Sequence, residues 1–368
     1  MTDTHSDSRR IPSLDGLRAI SIAAVVSSHL LWHGETGPHA LIRTALGRMG
    51  VQVFFVVSGF LITRLLVREQ GARGRISLAR FFQRRAIRIL PPYLVYVVTV
   101  VAISRLVAVP MPRADVAHAL TFTMNFASDR SSWVLAHGWS LSTEEQFYLA
   151  WPLLAVAFGW TRTRWLAAVV AAVPFVQFAV TGALPSIHWF PNGVDGIAAG
   201  CLLALLWDDP QASRVLRRMT TGATPLVALA LVIARIALAP YHVGTLLETL
   251  SGGAIAMLVA RVVLHPGGFA SALNAAPAVW LGKLSYSLYL WQQLFTRPTL
   301  EREPLPFPLA VACALGCAVI SYYAVERPLL AARARLRAPI SDAARPAAPA
   351  RLQTSWRDSL RRAISRRV

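Results

Sequence analysis

The chain has 368 residues, of which 55% are hydrophobic and only 15% are charged, and this composition excludes an ordinary soluble globular domain. Its formal net charge is +19, and because Lys283 is its only lysine, that charge comes from clustered arginines. A nucleic-acid-binding module would need a basic face on a soluble domain with stacking aromatic side chains. No such module is visible, so we expect no nucleic-acid partner.

The N-terminal segment has the two arginines of a signal peptide, Arg9 and Arg10, ahead of an apolar run. Asp15 and Arg18 interrupt that run, and no convincing cleavage site follows, so we predict a retained first helix. The three cysteines lie in apolar stretches without metal-ligand spacing: Cys201, Cys313 and Cys317. We therefore expect no metal site and no bound cofactor.

Ten stretches of the chain have the length and apolar character of a membrane-spanning helix, for which about 20 residues are needed. The windows are 15–33, 46–66, 91–110, 141–160, 164–183, 189–207, 224–240, 246–264, 277–296 and 307–326. The pattern predicts an all-α polytopic membrane protein with about ten transmembrane helices.

Arginine is distributed unequally between alternate loops, as expected when cytoplasmic loops carry the excess of positive charge. The loops after the second, fourth and sixth windows and the C-terminal tail are arginine-rich, whereas residues 111–138 and 297–306 have mixed charge. Both termini are therefore predicted to be cytoplasmic. We expect a multi-pass protein of the cell membrane (inner or plasma membrane), with the lipid bilayer as a partner.

Three regions follow from this pattern: a cytoplasmic segment over 1–13, a transmembrane domain over 14–330 and a basic cytoplasmic tail over 331–368. The tail is rich in Ala, Pro and Arg, and Trp356, Leu360 and Ile364 recur in it at four-residue spacing. Two interpretations stay open for it, a disordered segment and a short amphipathic helix on an anionic leaflet.

His29 is the first ionisable residue that the windows place inside the membrane, where such residues are costly and often functional. It lies 11 residues after Arg18, or about 16 Å along a helix, which puts it in the outer half of the bilayer. One interpretation is an imidazole that simply hydrogen-bonds a neighbour near the outer interface. The other is a general base for a hydroxyl group.

Two adjacent carboxylates, Glu144 and Glu145, open the fourth window. Ser142 and Glu145 have capping-box spacing, which predicts a structural role for Glu145. Glu144 would then lie in the first turn of the helix, with Tyr148 on the same face. The topology places it at the depth of His29, where a carboxylate would orient the imidazole; the alternative is a second acid that only favours the helix start.

Arg85 and Arg88 lie three residues apart in a basic stretch that leads into the third window. Arginine forks bind phosphate oxygens in a bidentate manner, so this pair predicts a phosphate clamp. For the neighbouring arginines from Arg64 to Arg80, contact with anionic lipid is at least as good an explanation. Asp15 and Arg18 are compatible with a simple cap and a snorkelling side chain at the inner end of the first helix.

Other polar residues in the windows receive no functional assignment. Asp195 and Arg235 lie in apolar stretches without a partner at helical spacing. A set of glycines is better explained by close helix packing than by binding: Gly50, Gly59, Gly196 and Gly200.

Six motifs in order resemble those of the acyltransferase-3 family of integral membrane acyltransferases, from about Pro12 to Pro328. They are Leu14-Asp-Gly-Leu-Arg-Ala19 with His29; Gly50-Val-Gln-Val-Phe-Phe-Val-Val-Ser-Gly-Phe-Leu-Ile62; Arg85-Ala-Ile-Arg88 with Pro91; Trp139 to Tyr148; Ser285-Tyr-Ser-Leu-Tyr-Leu-Trp291; and Val325-Glu-Arg-Pro328. The sequence departs from the family at Gln292, where many members carry a histidine.

The resemblance implies roles for the residues in these motifs. His29 would be the catalytic base and Glu144 its acidic partner, while Arg85 and Arg88 would hold the phosphates of acyl-coenzyme A, the co-substrate. Five further motif residues are expected to contact substrate: Asp15, Arg18, Tyr148, Ser285 and Tyr286.

The expected activity is transfer of an acetyl or other short acyl group from acyl-coenzyme A to a hydroxyl group. A surface polysaccharide, a glycolipid and a macrolide-like secondary metabolite are all compatible acceptors. Two other functions stay open: a polytopic transporter that uses His, Glu and Arg for proton or solute coupling, and a non-catalytic scaffold or receptor.

Overall fold

Helices form almost all of the chain that the computed structural model describes, which comprises residues 11–30, 37–107, 111–127, 132–181, 193–296 and 305–335. No strand occurs within those ranges, so the predicted all-α class is confirmed for them. The helices are α1 (Pro12–Leu30), α2 (Pro38–Arg73), α3 (Leu78–Leu106), α4 (Arg113–Leu120), α5 (Trp133–Ala136), α6 (Gly138–Thr181), α7 (Val194–Leu206), α8 (Pro210–Met219), α9 (Thr224–Ala237), α10 (His242–Leu264), α11 (Phe269–Leu273), α12 (Ala276–Gln292), α13 (Phe307–Ser321) and α14 (Arg327–Arg335). A short 3₁₀ turn covers Met124–Phe126, and a π-helical turn covers Tyr322–Glu326.

A described helix overlaps each of the ten predicted windows. Within the described ranges, three helical stretches are long and apolar enough to cross a membrane: Pro38–Arg73, Leu78–Leu106 and Phe307–Ala332. A fourth results if α8 and α9, bent by 70° to each other, count as one broken span. Large apolar side chains such as Val98 and Ile320 are exposed on these helices, as lipid-facing residues are. The full count of ten spans and the cytoplasmic termini stay predictions.

Helix α6 is two helices joined at Gly159. The backbone there has φ of 72° and ψ of 167°, a conformation that glycine adopts at little cost because it has no Cβ. The break falls at the end of the predicted window 141–160, just before the window 164–183. On its far side, Trp160 Nε1 donates a hydrogen bond to Gln70 Oε1 at 2.6 Å, which ties the bend to α2.

Glycines allow the helices to approach closely, as the sequence predicted. A Cβ added at Gly59 would overlap the carbonyl of Ile197, and one at Gly200 would overlap that of Val56, so α2 and α7 meet through their backbones. Gly282 on α12 faces the Asp15 carbonyl of α1 in the same way. This small-residue packing is typical of helices in membranes.

Helices α1 and α2 run antiparallel, and their contacts fix the relative depth of the residues they carry. Gly47 faces Ser28, and Gly50 faces Ser21. Ser58 lies eight residues beyond Gly50, about 12 Å further along α2. It therefore lies level with the N-terminal end of α1, far from the end that carries His29.

A polar network crosses the otherwise apolar core formed by α2, α7, α9 and α10. Arg235 donates hydrogen bonds to Gln52 Oε1 at 2.5 Å and to Ser251 Oγ at 3.1 Å. Gln52 Nε2 donates in turn to Asp195 Oδ2 at 3.3 Å. Because Gln52, Ser251 and Arg235 are all buried, each polar group there needs such a partner. The network thus joins four helices.

The chain divides into two units, Met1–Arg327 and Pro328–Val368. All of the residues discussed below belong to the first unit. Of the second unit, the structure describes residues 328–335, which are helical. The predicted amphipathic stretch around Trp356 and the N-terminal residues 1–10 lie outside the described residues.

Candidate active site

A small, partly open cavity lies where α1, α2, α3, α6 and α12 converge, with a volume of about 60 Å³. Its polar lining comes from residues far apart in sequence: Arg18, Ser58, Arg85, Arg88, Glu144, Tyr148 and Tyr286. Four apolar residues complete the wall: Val57, Leu61, Ile89 and Leu141. Residues of the first five of the six sequence motifs therefore meet around one space.

Positive charge dominates this cavity. Its described lining residues include three arginines but only one carboxylate, that of Glu144. Arg85 and Arg88 come from successive turns of α3, as their spacing predicted, and Arg18 reaches the same space from α1. Because the apolar wall weakens screening by water, the excess positive charge favours an anionic ligand.

A hydrogen-bonded group of three side chains forms one side of the cavity. Ser58 Oγ and the Tyr148 hydroxyl both donate to Glu144 Oε1, and the two hydroxyl oxygens lie 3.2 Å apart. The guanidinium of Arg85 lies over the ring of Tyr148, 4.6 Å from its centroid, a geometry suited to a cation–π interaction. Glu144 thereby fixes the ring on which Arg85 rests.

The start of α6 explains why Glu144 lies here and not beside His29. The Ser142–Glu145 spacing predicts a helix that begins at a capping box, but the helix already begins at Gly138, directly after α5. Ser142 lies inside it, and its hydroxyl accepts a hydrogen bond from the Met124 backbone. The predicted capping box is therefore wrong, and Glu144 lies six residues into the helix, about 9 Å deeper than its first residue.

His29 belongs to a second polar cluster at the C-terminal end of α1. Its Nδ1 lies 2.9 Å from Gln292 Oε1 at the end of α12. Its ring packs edge-on against Trp133 of α5, with the ring centroids 5.4 Å apart. Gln292, a polar partner of this imidazole, is thus the residue noted above as a departure from the resembled family.

The two clusters lie at different depths. Arg18 and His29 belong to the same uninterrupted helix and are separated by about 16 Å along its axis. Glu144 is bonded to Ser58, which lies at the Arg18 end of the α1–α2 pair. The expected direct pairing of Glu144 with His29 is therefore not what the structure shows.

A second histidine, His137, lies near the His29 cluster in the predicted outer loop before α6. It is 6% exposed, and its ring packs against Tyr96 and Tyr289 at centroid distances of 5.6 and 5.2 Å. Neither ring nitrogen makes a hydrogen bond of good geometry, although the Leu290 backbone lies close to the ring. Burial, with a smaller effect of His29, lowers the pKa of His137 to about 3, so this imidazole is neutral at physiological pH.

Six of the nine predicted site residues share the cavity: Arg18, Arg85, Arg88, Glu144, Tyr148 and Tyr286. The other three do not line it. His29 lies in the second cluster. Asp15 is buried near the contact between α1 and α12, and Ser285 is fully buried within α12, where its hydroxyl has no hydrogen-bond partner.

Several functional candidates escaped the sequence reasoning. Ser58 lay inside a motif that was read for its glycines, and Gln292 was noted only as a departure from a family pattern. Glu326, in the π-helical turn, accepts a hydrogen bond from Ser287 and lies within electrostatic reach of Arg88. A π-helical turn often marks a functional position, but no period in the sequence reveals one.

Comparison with known proteins supplies an independent finding. A family model described as an acyltransferase domain matches residues 11–326. The peptidoglycan O-acetyltransferase OatA of Listeria monocytogenes is 27% identical over 361 residues, which cover 89% of this chain and 57% of that protein. The O-acetyltransferase OatA of Staphylococcus aureus is 26% identical over 358 residues, covering 87% and 57%. This chain thus spans somewhat over half the length of these relatives. No solved structure matches.

Proposed function

This chain belongs to the acyltransferase-3 family, and from that premise we propose that it is a membrane O-acyltransferase. In this proposal it transfers an acetyl or other short acyl group from acyl-coenzyme A to a hydroxyl group of a carbohydrate. The reaction takes place in the cell membrane, where the helices described above span the bilayer.

The cavity supports a phosphorylated donor. Arg18, Arg85 and Arg88 offer more positive charge than Glu144 neutralises, and planar guanidinium groups match the geometry of phosphate oxygens. Coenzyme A carries phosphates at one end and the acyl thioester at the other. In our proposal the arginine cavity holds the phosphate end, which enters from the cytoplasm.

The separation of the two clusters fits the length of such a donor. The pantetheine arm of coenzyme A joins its phosphates to its sulfur through about a dozen bonds, comparable with an extended peptide of four to five residues, or about 15 Å. About 16 Å of helix separates Arg18 from His29. With the phosphates among the arginines, an extended arm would bring the thioester to the imidazole.

His29 acts as the general base in this proposal. The acceptor hydroxyl gives its proton to the imidazole, and its oxygen attacks the thioester carbonyl carbon. The C–S bond then breaks, the coenzyme A thiolate leaves and takes up a proton, and an acyl ester remains on the acceptor. Glu144 does not orient His29 but holds Tyr148 and, through it, Arg85.

The acceptor is proposed from the relatives. Two proteins named as O-acetyltransferases, one of them of peptidoglycan, align with most of this chain, which favours a carbohydrate hydroxyl. A glycolipid or a macrolide-like metabolite would offer the same hydroxyl chemistry. A screen of the three acceptor classes with one labelled donor separates them, and the carbohydrate is the one that we expect to be acylated.

One observation carries the proposal: Arg18, one of the three arginines of the cavity, lies about one pantetheine length along α1 from His29. The test is transfer of label from [¹⁴C]acetyl-coenzyme A to a glycan by the full chain purified in lipid nanodiscs. We expect His29→Ala to remain folded and to lose transfer by at least about 100-fold, the usual contribution of a general base.

His118→Ala is the matched control, because His118 bonds Thr123 through Nδ1 near the start of the predicted outer loop and lies outside both clusters. We expect it to retain activity. Normal transfer by the His29 variant would reject the proposal. Movement of a solute across the bilayer without consumption of acetyl-coenzyme A would instead identify a transporter.

A further inference from the structure

Three polar side chains form a hydrogen-bonded relay that begins at His29. His29 Nδ1 lies 2.9 Å from Gln292 Oε1. Gln292 Nε2 donates to Gln293 Oε1 at 3.0 Å, and Gln293 Nε2 donates to the backbone carbonyl of Trp133 at 3.1 Å. Both glutamines are almost completely buried, with exposures of 0% and 1%.

The direction of this relay follows from its last member. The Trp133 carbonyl can only accept a hydrogen bond, so Gln293 must turn its NH₂ group towards it. The oxygen of Gln293 then faces Gln292 and needs the NH₂ group of that side chain as its donor. As a result, the oxygen of Gln292 faces His29, and the ring nitrogen opposite it, Nδ1, must carry a proton.

A second acceptor holds Gln292 in the same orientation. Its Nε2 also lies 3.5 Å from the Tyr289 backbone carbonyl, one turn earlier in α12. If the amide were reversed, its oxygen would face one carbonyl oxygen and the Gln293 oxygen, with no donor between them. A buried amide rarely tolerates such an arrangement, because the unpaired groups lose their hydration without replacement.

We infer that Gln292, held by Gln293, is a positioning residue that keeps His29 in the tautomer with the proton on Nδ1 and leaves Nε2 as the nitrogen that takes the proton of the acceptor hydroxyl. This inference rests on the proposed role of His29 as base. Because an amide is uncharged, it selects the tautomer without adding a negative charge to stabilise the imidazolium.

The hydrogen bond with Gln292 decides which ring nitrogen of His29 carries the proton. A neutral imidazole has one donor and one acceptor nitrogen, and the hydrogen bond made by one nitrogen decides the state of the other. Gln292 supplies that hydrogen bond at the position noted as a departure from the resembled family. Two described groups near this end of α1 are titratable or charged: His137, before α6, whose pKa His29 lowers slightly, and Arg43 of α2, which donates to the Ser28 carbonyl.

The tautomer is measurable without any assay of activity. In the full chain labelled with [¹⁵N]histidine, protonated and unprotonated ring nitrogens differ strongly in chemical shift, and loss of a signal in His29→Ala assigns it. We expect His29 to be protonated at Nδ1 and unprotonated at Nε2 above its titration. A native spectrum with the proton on Nε2 would overturn the inference while leaving the catalytic role of His29 intact.

Substitutions at Gln292 separate positioning from simple packing. Gln292→Leu keeps the volume but removes the acceptor, and we expect a mixture of tautomers and a fall in kcat/KM of roughly 10- to 100-fold, as for other groups that orient a functional histidine. Gln292→Glu restores the acceptor and adds a charge that stabilises imidazolium. We expect it to recover much of the activity and to move the acidic limb of the kcat/KM profile to higher pH.

Thr296→Val is the matched control, because Thr296 is a buried polar residue one turn beyond Gln292 whose hydroxyl donates to the Gln293 backbone carbonyl and not to the side-chain amides of the relay. We expect its tautomer and pH profile to equal those of the native chain. If the Leu and Glu variants lose activity equally, with no change in tautomer and no shift of the acidic limb, Gln292 only fills space. If His29→Ala itself remains active, the proposed function fails instead.

Discussion

Arg85 rests on the ring of Tyr148, with its guanidinium carbon 4.6 Å from the ring centroid, and the hydroxyl at the far side of that ring donates to Glu144. The arrangement joins α3 to α6 across the cavity. It holds the guanidinium group, with its N–H donors, at the wall of the cavity. A guanidinium group that is already held in place loses less conformational freedom when its N–H groups bind an anion.

Tyr148 is therefore expected to contribute to donor binding through Arg85. Tyr148→Leu removes the aromatic face, and we expect the KM for acetyl-coenzyme A to rise roughly 3- to 30-fold, the range of cation–π energies. Tyr148→Phe keeps the face and removes only the hydroxyl, so its KM should rise less. Initial rates at varied donor concentration measure both variants. An equal effect of the two substitutions would show that the hydroxyl, not the ring, is what matters.

Arg85 and Arg88 are expected to recognise the phosphates of the donor and not its acyl arm. Arg85→Ala and Arg88→Ala should each raise the KM for acetyl-coenzyme A roughly 10- to 100-fold, the value of a charge-assisted hydrogen bond. With acetyl-pantetheine, which lacks phosphates, neither variant should differ much from the native chain. Arg84→Ala is the control, since Arg84 instead donates to Glu69 at 3.0 Å. A loss that is the same for both donors would argue against phosphate recognition.

The position of Glu144 gives a prediction about pH. Since Glu144 bonds Ser58 and Tyr148 at the arginine cluster, we expect its charge to have little influence on the titration of the base. We expect Glu144→Gln to change the KM for the donor and to leave the acidic limb of the kcat/KM profile in place. A direct carboxylate–imidazole pair would behave differently: loss of the carboxylate would move that limb to lower pH. The pH–rate profile distinguishes the two arrangements.

Close contact between α1 and α12 is needed to bring His29 and Gln292 together. A Cβ at Gly282 would overlap the backbone of Asp15, so Gly282→Ala must push the helices apart. We expect a loss of about 1–3 kcal/mol in stability, typical of overpacking, together with weaker transfer. Gly253→Ala is the control, because nothing lies within 4 Å of a Cβ at that position. Thermal unfolding in the same nanodiscs compares the two variants, and equal midpoints would contradict the packing described here.

Part of this architecture follows from local sequence patterns. The apolar windows found the helices because a helix in lipid must satisfy its own backbone and be apolar on its surface. Arg85 and Arg88 were correctly placed on one side because a spacing of three residues fixes their relative direction on any helix. The close-packing role of Gly59 and Gly200 also followed from their small size.

Depth and long-range pairing did not follow, since neither is a local property. Glu144 was placed too near the start of its helix, because α6 begins at Gly138, directly after α5, and the Ser142 hydroxyl accepts from the Met124 backbone instead of acting as a cap. Arg235 seemed to lack a partner because its partner, Gln52, is 183 positions away. Helix packing alone brings such residues together.

The uninterrupted course of α1 acts as a molecular ruler. Because its helical register is rigid, inserting one residue between Arg18 and His29 would advance the imidazole by about 1.5 Å and swing it about 100° away from Gln292. Four inserted residues would nearly restore its direction but leave it about 6 Å too far from the arginines. In the proposed function, a donor arm of fixed length would tolerate neither change, so the length of this segment would be as much a part of the specificity as any side chain on it.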